Sequence, residues 1–556
     1  MPFNVMNLSD LDVAPEQKGL LWVKGWTDTT IKYSFSDFEG WAEHSPSAVN
    51  SQLQIKIENV LDQVARVTNL TFQSVSSDAH IDFFINGTLE DRGAAGYALA
   101  PNSGGNYASF ANQEISDYTI YQETLHALGL SSPDNDILPL EYQSGFLTVM
   151  YSGAPDYGPL GLSMIDPNVT GLLAADIEAL QAIYGVNQAS SGKDTYRYNT
   201  SDEIFEGLFD AGGYDTVIIT DPEEKGVSID LTPGAGWDVG YFGIVYDPDD
   251  PQSGQQLYET VHTTSTTIIE KVIAAEGHDY LKGNSVDNIL VGKGGDDTLL
   301  GDDGNDILRG QDGVDSISGD AGNDQLWGGD GNDLLFGGAG DDTIGGGTGD
   351  DLIETGSGKN TVYAAGGDDT IDGSEGTKAG TLWAGDGDDS MLGGVGADRL
   401  GTGAGADTVY AGAGNDTLYG SDDDSSDFLN GEAGNDVIYG GAGDDVLVGG
   451  AGNDTVSGGR GDDRLVADRG DDVLTGGAGS DTFVIYGQAG SVAIQDFDTS
   501  VDLLDLGAFG DALDTIQELQ ERATEVEGGV TISLDADTEV FLANISLAEV
   551  AEIILV

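Results

Sequence analysis

The chain has 556 residues, enough for several domains with buried cores. Ninety-eight acidic side chains against 20 basic ones leave a formal charge of −78, a field that repels phosphate backbones and anionic membranes and so excludes nucleic-acid binding. With no cysteine there is no disulfide and no thiolate metal site, and no apolar run reaches the roughly 18 residues of a membrane span.

Residues 1–190 read as an α/β domain. Strands are expected at Thr30–Phe35, Leu70–Val75 and His80–Ile85, where residues alternate or are β-branched. Leu53, Ile57, Val60, Leu61 and Val64 fall at helical spacing, and a second helix fits Leu173, Ile177, Leu180 and Tyr184. Between these lies YQETLHALGLSSP, from Tyr121 to Pro133. It resembles the HExxHxxGxxH zinc motif of serralysin-type metzincin proteases, with Glu123, His126 and Gly129 in place. LTVMYS at 147–152 resembles the Met-turn of that family, and DIEALQAIYG at 176–185 resembles the helix that closes its domain.

The resemblance implies Glu123 as general base and His126 as a zinc ligand, but the first and third histidine positions hold Gln122 and Ser132. Catalytic zinc keeps three protein ligands and one open position, and so lowers the pKa of its bound water. One imidazole does not provide this, and neutral amide and hydroxyl oxygens are weak substitutes. Asp134 lies two residues past the third position and leaves Gln122 unanswered. In Met150-Tyr151-Ser152, moreover, serine stands where the family has the tyrosine that stabilises the reacting carbonyl. Glu123 and His126 are therefore expected as catalytic relics, with no zinc. An altered metal site and an active protease remain the alternatives. His44, His80, His262 and His278 are scattered and read as surface or loop residues.

Residues 191–275 read as a β-rich linker region. DAGGYD at 210–215 resembles the family's first calcium loop, which places Asp215 among the calcium ligands. All 13 prolines lie at or before Pro251. A change of construction is implied there, because a continuous ladder has no backbone donors to spare.

Residues 276–485 repeat every nine positions. One slot of the repeat holds aspartate at 279, 297, 306, 315, 324, 333, 342, 351 and 369, then at 389, 398, 407 and 416, then at 427, 436, 445, 454, 463, 472 and 481. The exceptions among 23 slots are Asn288, Asn360 and Gly380, and extra pairs of residues enter near 378 and 424. Two positions after every slot stands an apolar residue, from Leu281 and Leu290 to Leu474 and Phe483. Such a unit divides into a glycine turn and a short strand with one inward side chain, and stacked units bury a continuous apolar seam. The register GGxGxDx(apolar)x resembles the repeats-in-toxin modules of secreted bacterial proteins. It implies a right-handed parallel β-roll with two repeats per circuit and calcium held between residues 18 apart, such as Asp297 with Asp315 and Asp436 with Asp454. Asn288 and Asn360 are expected to offer a neutral oxygen and Gly380 nothing, with the sites next to the insertions in doubt.

Residues 486–556 read as a β segment. IQDF at 494–497 and DLLDL at 502–506 resemble the family's sequence after the roll. The first residues lack a basic patch and an apolar core, whereas the last five, Glu552 to Val556, are acidic then apolar, resembling the tails of type I secretion substrates. The expectation is a multidomain, secreted, extracellular calcium-binding protein, a serralysin-like pseudoprotease whose former cleft receives an extended peptide by strand addition and whose export partner is the type I apparatus. A residual zinc metalloendopeptidase and a calcium-dependent structural roll are the alternatives.

Overall fold

The computed structural model describes residues 261–512 and 515–555 without interruption. Ahead of them it describes 193–200, 206–210, 212–220, 226–237, Thr68, Leu70, Ile177 and the strands and helix between residues 3 and 110. The chain divides into two compact units, Met1–Glu276 with Tyr280–Asn284, and Gly277–Asp279 with Ser285–Val556.

In the first unit the three expected strands and the first expected helix are present. Strand Thr30–Phe35 pairs in parallel with Thr71–Ser74 on one side and Ile81–Asn86 on the other. Tyr107–Phe110 continues the sheet in parallel and Gly96–Ala98 closes it antiparallel. The helix Ser51–Val67 joins the two parallel strands. Leu53, Ile57, Val60, Leu61 and Val64 are all buried along one stripe, which is what their spacing predicts. The helix stops at Thr68, whose amide and hydroxyl both bond back to the Val64 carbonyl, at 3.0 and 2.7 Å. Of the second expected helix only Ile177 is described, helical and buried.

The same unit holds a parallel ladder of Thr195–Asn199, Thr216–Thr220 and Lys271–Ile273, and a second pairing of Ser228–Asp230 with Tyr280–Lys282. Val217, Ile219, Ile229, Val272 and Leu281 point inward and are fully buried.

In the second unit the repeats coil into two facing parallel sheets. Most circuits place a six-residue strand on one sheet, such as Ile307–Asp312 or Gln325–Asp330, and a three-residue strand on the other, such as Ser316–Ser318 or Leu334–Phe336. The nine-residue units are thus not equal halves, although nothing in their shared consensus separates them. Register is kept by the apolar residue, with Leu308 against Leu326 on the long strands and Ile317 against Leu335 on the short ones. All 23 inward positions of the sequence are buried, each contributing about 1.5–3 kcal/mol.

The two insertions leave this seam intact. Val362 pairs with Leu382 and Leu418 with Ile438, so each extra pair of residues is absorbed in a turn. The turns stack closely. Gly331, at φ +132°, lies where an added Cβ would collide with the Gly313 carbonyl of the preceding circuit. Gly331→Ala is therefore expected to cost more than about 1 kcal/mol, read as a lowered melting temperature in calcium.

Beyond the repeats, the last long-face strand Gly490–Ile494 pairs in parallel with Thr538–Ala543, which continues antiparallel into Gly529–Ser533 and Ala523–Val526. The last short-face strand Leu503–Asp505 pairs with Ile554–Leu555. A short helix, Ile516–Arg522, starts in a capping box formed by Thr515 and Glu518.

Candidate calcium sites of the repeat turns

Each slot aspartate has one carboxylate oxygen committed to the backbone. The Asp297 amide donates to Asp315 Oδ1 at 2.8 Å, Asp315 to Asp333 at 2.8 Å, and Asp436 to Asp454 at 2.8 Å, always from the earlier circuit to the next. Residues 18 apart are thereby brought together, as the repeats-in-toxin resemblance implies. On the outside of the turns a second ladder runs in the opposite sense, with Asn323 donating to Asn305 Oδ1 at 3.0 Å and Asp341 to Asn323 Oδ1 at 2.8 Å.

The other oxygen, Oδ2, is buried and without a hydrogen-bond partner at seventeen slot aspartates from Asp297 to Asp472. Burying a carboxylate oxygen with no donor is costly. Twelve of the seventeen, among them Asp306 and Asp445, face a space kept open by glycine. A Cβ on Gly301 would lie 2.5 Å from Asp306 Oδ2 and 2.7 Å from the Gly319 carbonyl of the next circuit; Gly440 gives 2.5 and 2.7 Å with Asp445 and Gly458. An anionic oxygen and a neutral carbonyl converging on a space with no donor form a hard-oxygen environment that suits a calcium ion. The residues that would hold it are the slot aspartate and the facing carbonyl.

Electrostatics points the same way. Burial, opposed by the amide hydrogen bond and reinforced by neighbouring carboxylates, raises these pKa values from 3.8 to about 8 at Asp297, about 7 at Asp333 and about 6 at Asp324. Without a cation these carboxyls keep their protons to a higher pH than an exposed aspartate does.

Two rungs differ. Asn360 Oδ1 accepts the Asp342 amide at 2.9 Å, but its Nδ2 donates to the carbonyls of Thr355 and Gly356 at 2.9 and 3.2 Å. The expected neutral oxygen is thus already used by the backbone. At Asp398, Oδ1 accepts the Gly380 amide at 2.6 Å and Oδ2 the Gly394 amide at 3.1 Å.

The first unit carries a separate acidic cluster in which carboxylate oxygens of Asp194, Asp210 and Asp215 lie within 4.8 Å of one another. Asp210 accepts from the Gly212 amide at 2.7 Å and the Tyr196 hydroxyl at 2.6 Å. Asp215 Oδ1 accepts the Asp194 amide at 2.7 Å, and its buried Oδ2 has no partner. Burial raises Asp215 to about 7. Sequence reading found Asp215 but missed Asp194, which has no motif of its own. It arrives through the parallel pairing of Thr195 with Thr216.

Nine stretches between residues 273 and 491, several of them overlapping, match the family described as RTX calcium-binding nonapeptide repeat. These turns are RTX repeats. The chain is also similar to Metallopeptidase AprA of Pseudomonas marginalis, 26% identical over 298 residues, covering 44% of this chain and 56% of that protein. The chain thus spans little more than half the length of this relative. RTX repeats, the β-roll and this similarity together fit a serralysin-like RTX protein. Gln122, Glu123, His126 and Ser132 lie outside the described residues.

Replacing one RTX ligand while keeping its backbone bond isolates the ion. Asp306→Asn retains an Oδ1 for the Asn288 amide, which it now accepts at 2.6 Å, and removes the anionic oxygen. One calcium fewer per chain is expected by native mass spectrometry, with the circuit still closed.

Proposed function

We propose that this chain is a secreted serralysin-like pseudoprotease: a calcium-loaded RTX roll joined to a metzincin-type domain that has lost zinc and acts outside the cell as a binding protein for extended peptide. The calcium part is carried by the seventeen buried, unpartnered Oδ2 atoms, nine of which face a carbonyl of the next circuit across a glycine. The pseudoprotease part rests on Gln122 and Ser132 at histidine positions. Secretion is supported by the RTX repeats and by the similarity to a named metallopeptidase, and a type I route by the acidic-apolar tail.

Metal analysis of the purified chain tests this reading, which expects several calcium ions, no zinc and no casein turnover. Gln122→His with Ser132→His is expected to gain one zinc, since the HExxH spacing of four residues is the one that brings two side chains to one face of a helix. Proteolysis would remain feeble, because Ser152 occupies the tyrosine position and a missing oxyanion donor costs about 10²–10³ in rate. The second reading, a residual metallopeptidase, is favoured by the surviving Glu123 and His126. One tightly bound zinc in the unaltered chain, with hydrolysis abolished by Glu123→Gln, would establish it instead.

A further inference from the structure

The two edges of the roll are not equivalent. One edge carries aspartate at every slot from Asp279 to Asp481, while the other, which starts at Asn288, loses its carboxylates midway at Asn360 and Gly380.

At Asn360 the oxygen is held by the Asp342 amide, as in the aspartates, and this turns Nδ2 to the position where they place Oδ2. The nitrogen donates to Thr355 O at 2.9 Å. That carbonyl is the one that faces Asp342 Oδ2 across Gly337, the counterpart of Gly319 O facing Asp306. An N–H dipole already occupies the oxygen that a cation here would need, and rotating the amide would cost the bond from Asp342. At the next rung Gly380 contributes no side chain, and the rung after it ties Asp398 Oδ2 to the Gly394 amide. The insertion before Gly380 adds a cation of the chain's own, with Lys378 Nζ 2.6 Å from Asp341 Oδ1 on the outer ladder. Asn360, Lys378, Gly380 and Asp398 wall one small cavity.

We propose that this edge takes no calcium between Asp342 and Asp398, the Asn360 amide standing where an ion sits elsewhere and the Lys378 ammonium supplying the local counter-charge on the outer ladder. Calcium on this edge is therefore split into two separate blocks, while the opposite edge keeps an aspartate at every slot. The inference rests on the calcium reading of the turns.

Calcium bound per chain, counted by native mass spectrometry of the full-length protein, tests it. Asp324→Asn is expected to remove one ion and Asp342→Asn none, although both delete one slot carboxylate from the same edge. Asn360→Asp is expected to add one. An Asp342→Asn variant that loses an ion as Asp324→Asn does would overturn the proposal, as would an unchanged count in Asn360→Asp. The circular dichroism of each variant in calcium checks that the circuits close; should Asn360→Asp fail that check, the two asparagine variants decide alone. A chain that binds no calcium at all would defeat the underlying reading, a different outcome from a wrong count among variants.

Discussion

Chelation of calcium near neutral pH is expected to abolish the sheet signal of residues 285–505 in far-UV circular dichroism, and millimolar calcium to restore it. The apolar seam is thin, one inward side chain per nine residues. Along each edge the slot carboxylates repeat at the strand spacing of about 4.8 Å, where water does not screen them. Ions that satisfy the unpartnered slot oxygens outside the gap between Asp342 and Asp398 convert that repulsion into coordination, so binding free energy becomes folding free energy. Sites of the extracellular class, with affinities of about 10⁻⁴–10⁻³ M, would stay empty in a cytosol and fill outside. An unchanged spectrum on chelation would remove calcium from the folding argument.

The pH dependence should reverse sign with the metal. In chelator, carboxyls whose folded values stand at about 6 to 8 hold more protons in the folded chain than in the unfolded one, where the value is near 3.8. Stability is then greatest at or below about pH 4 and falls as pH rises through 6 to 8. In calcium, protons compete with the ion for the same oxygens, so stability rises over that window. Parallel melting series from acid to mildly alkaline pH distinguish the two slopes.

The second large effect is expected at Phe483. This side chain is fully buried, lies between Leu465 and Leu504 in the short-face register, and has its ring 5.7 Å from that of Phe497. It therefore joins the last repeat to the segment that follows. Phe483→Ala should cost about 3–5 kcal/mol, the transfer term plus an unfilled cavity. Leu392, which points outward and is 39% exposed, provides the control, and its replacement by alanine should stay within about 0.5 kcal/mol. Equal effects at both positions in urea unfolding would mean that the seam does not hold the roll together.

The periodic features were legible because they depend only on spacing. The inward series from Leu281 to Phe483 and the helix stripe from Leu53 to Val64 follow from a period of nine and a period of 3.6. What escaped depends on direction and on partners distant in sequence. An asparagine and an aspartate look interchangeable as oxygen donors until the Asp342 amide fixes which end of Asn360 faces the carbonyls. Asp194 joins Asp210 and Asp215 only through strand pairing. The long and short faces share one consensus, so their difference has no signature in the repeat.

The strands that follow the repeats give the roll a finite size. A stack of parallel circuits presents at its end a row of unused amides and carbonyls, and a second copy could dock there and extend the same ladder into a filament. Here Thr538–Ala543 lies against Gly490–Ile494 and then turns antiparallel, while only Ile554–Leu555 meets Leu503–Asp505. The long face thus ends in an antiparallel hairpin rather than an open circuit, which disfavours head-to-tail extension through that face.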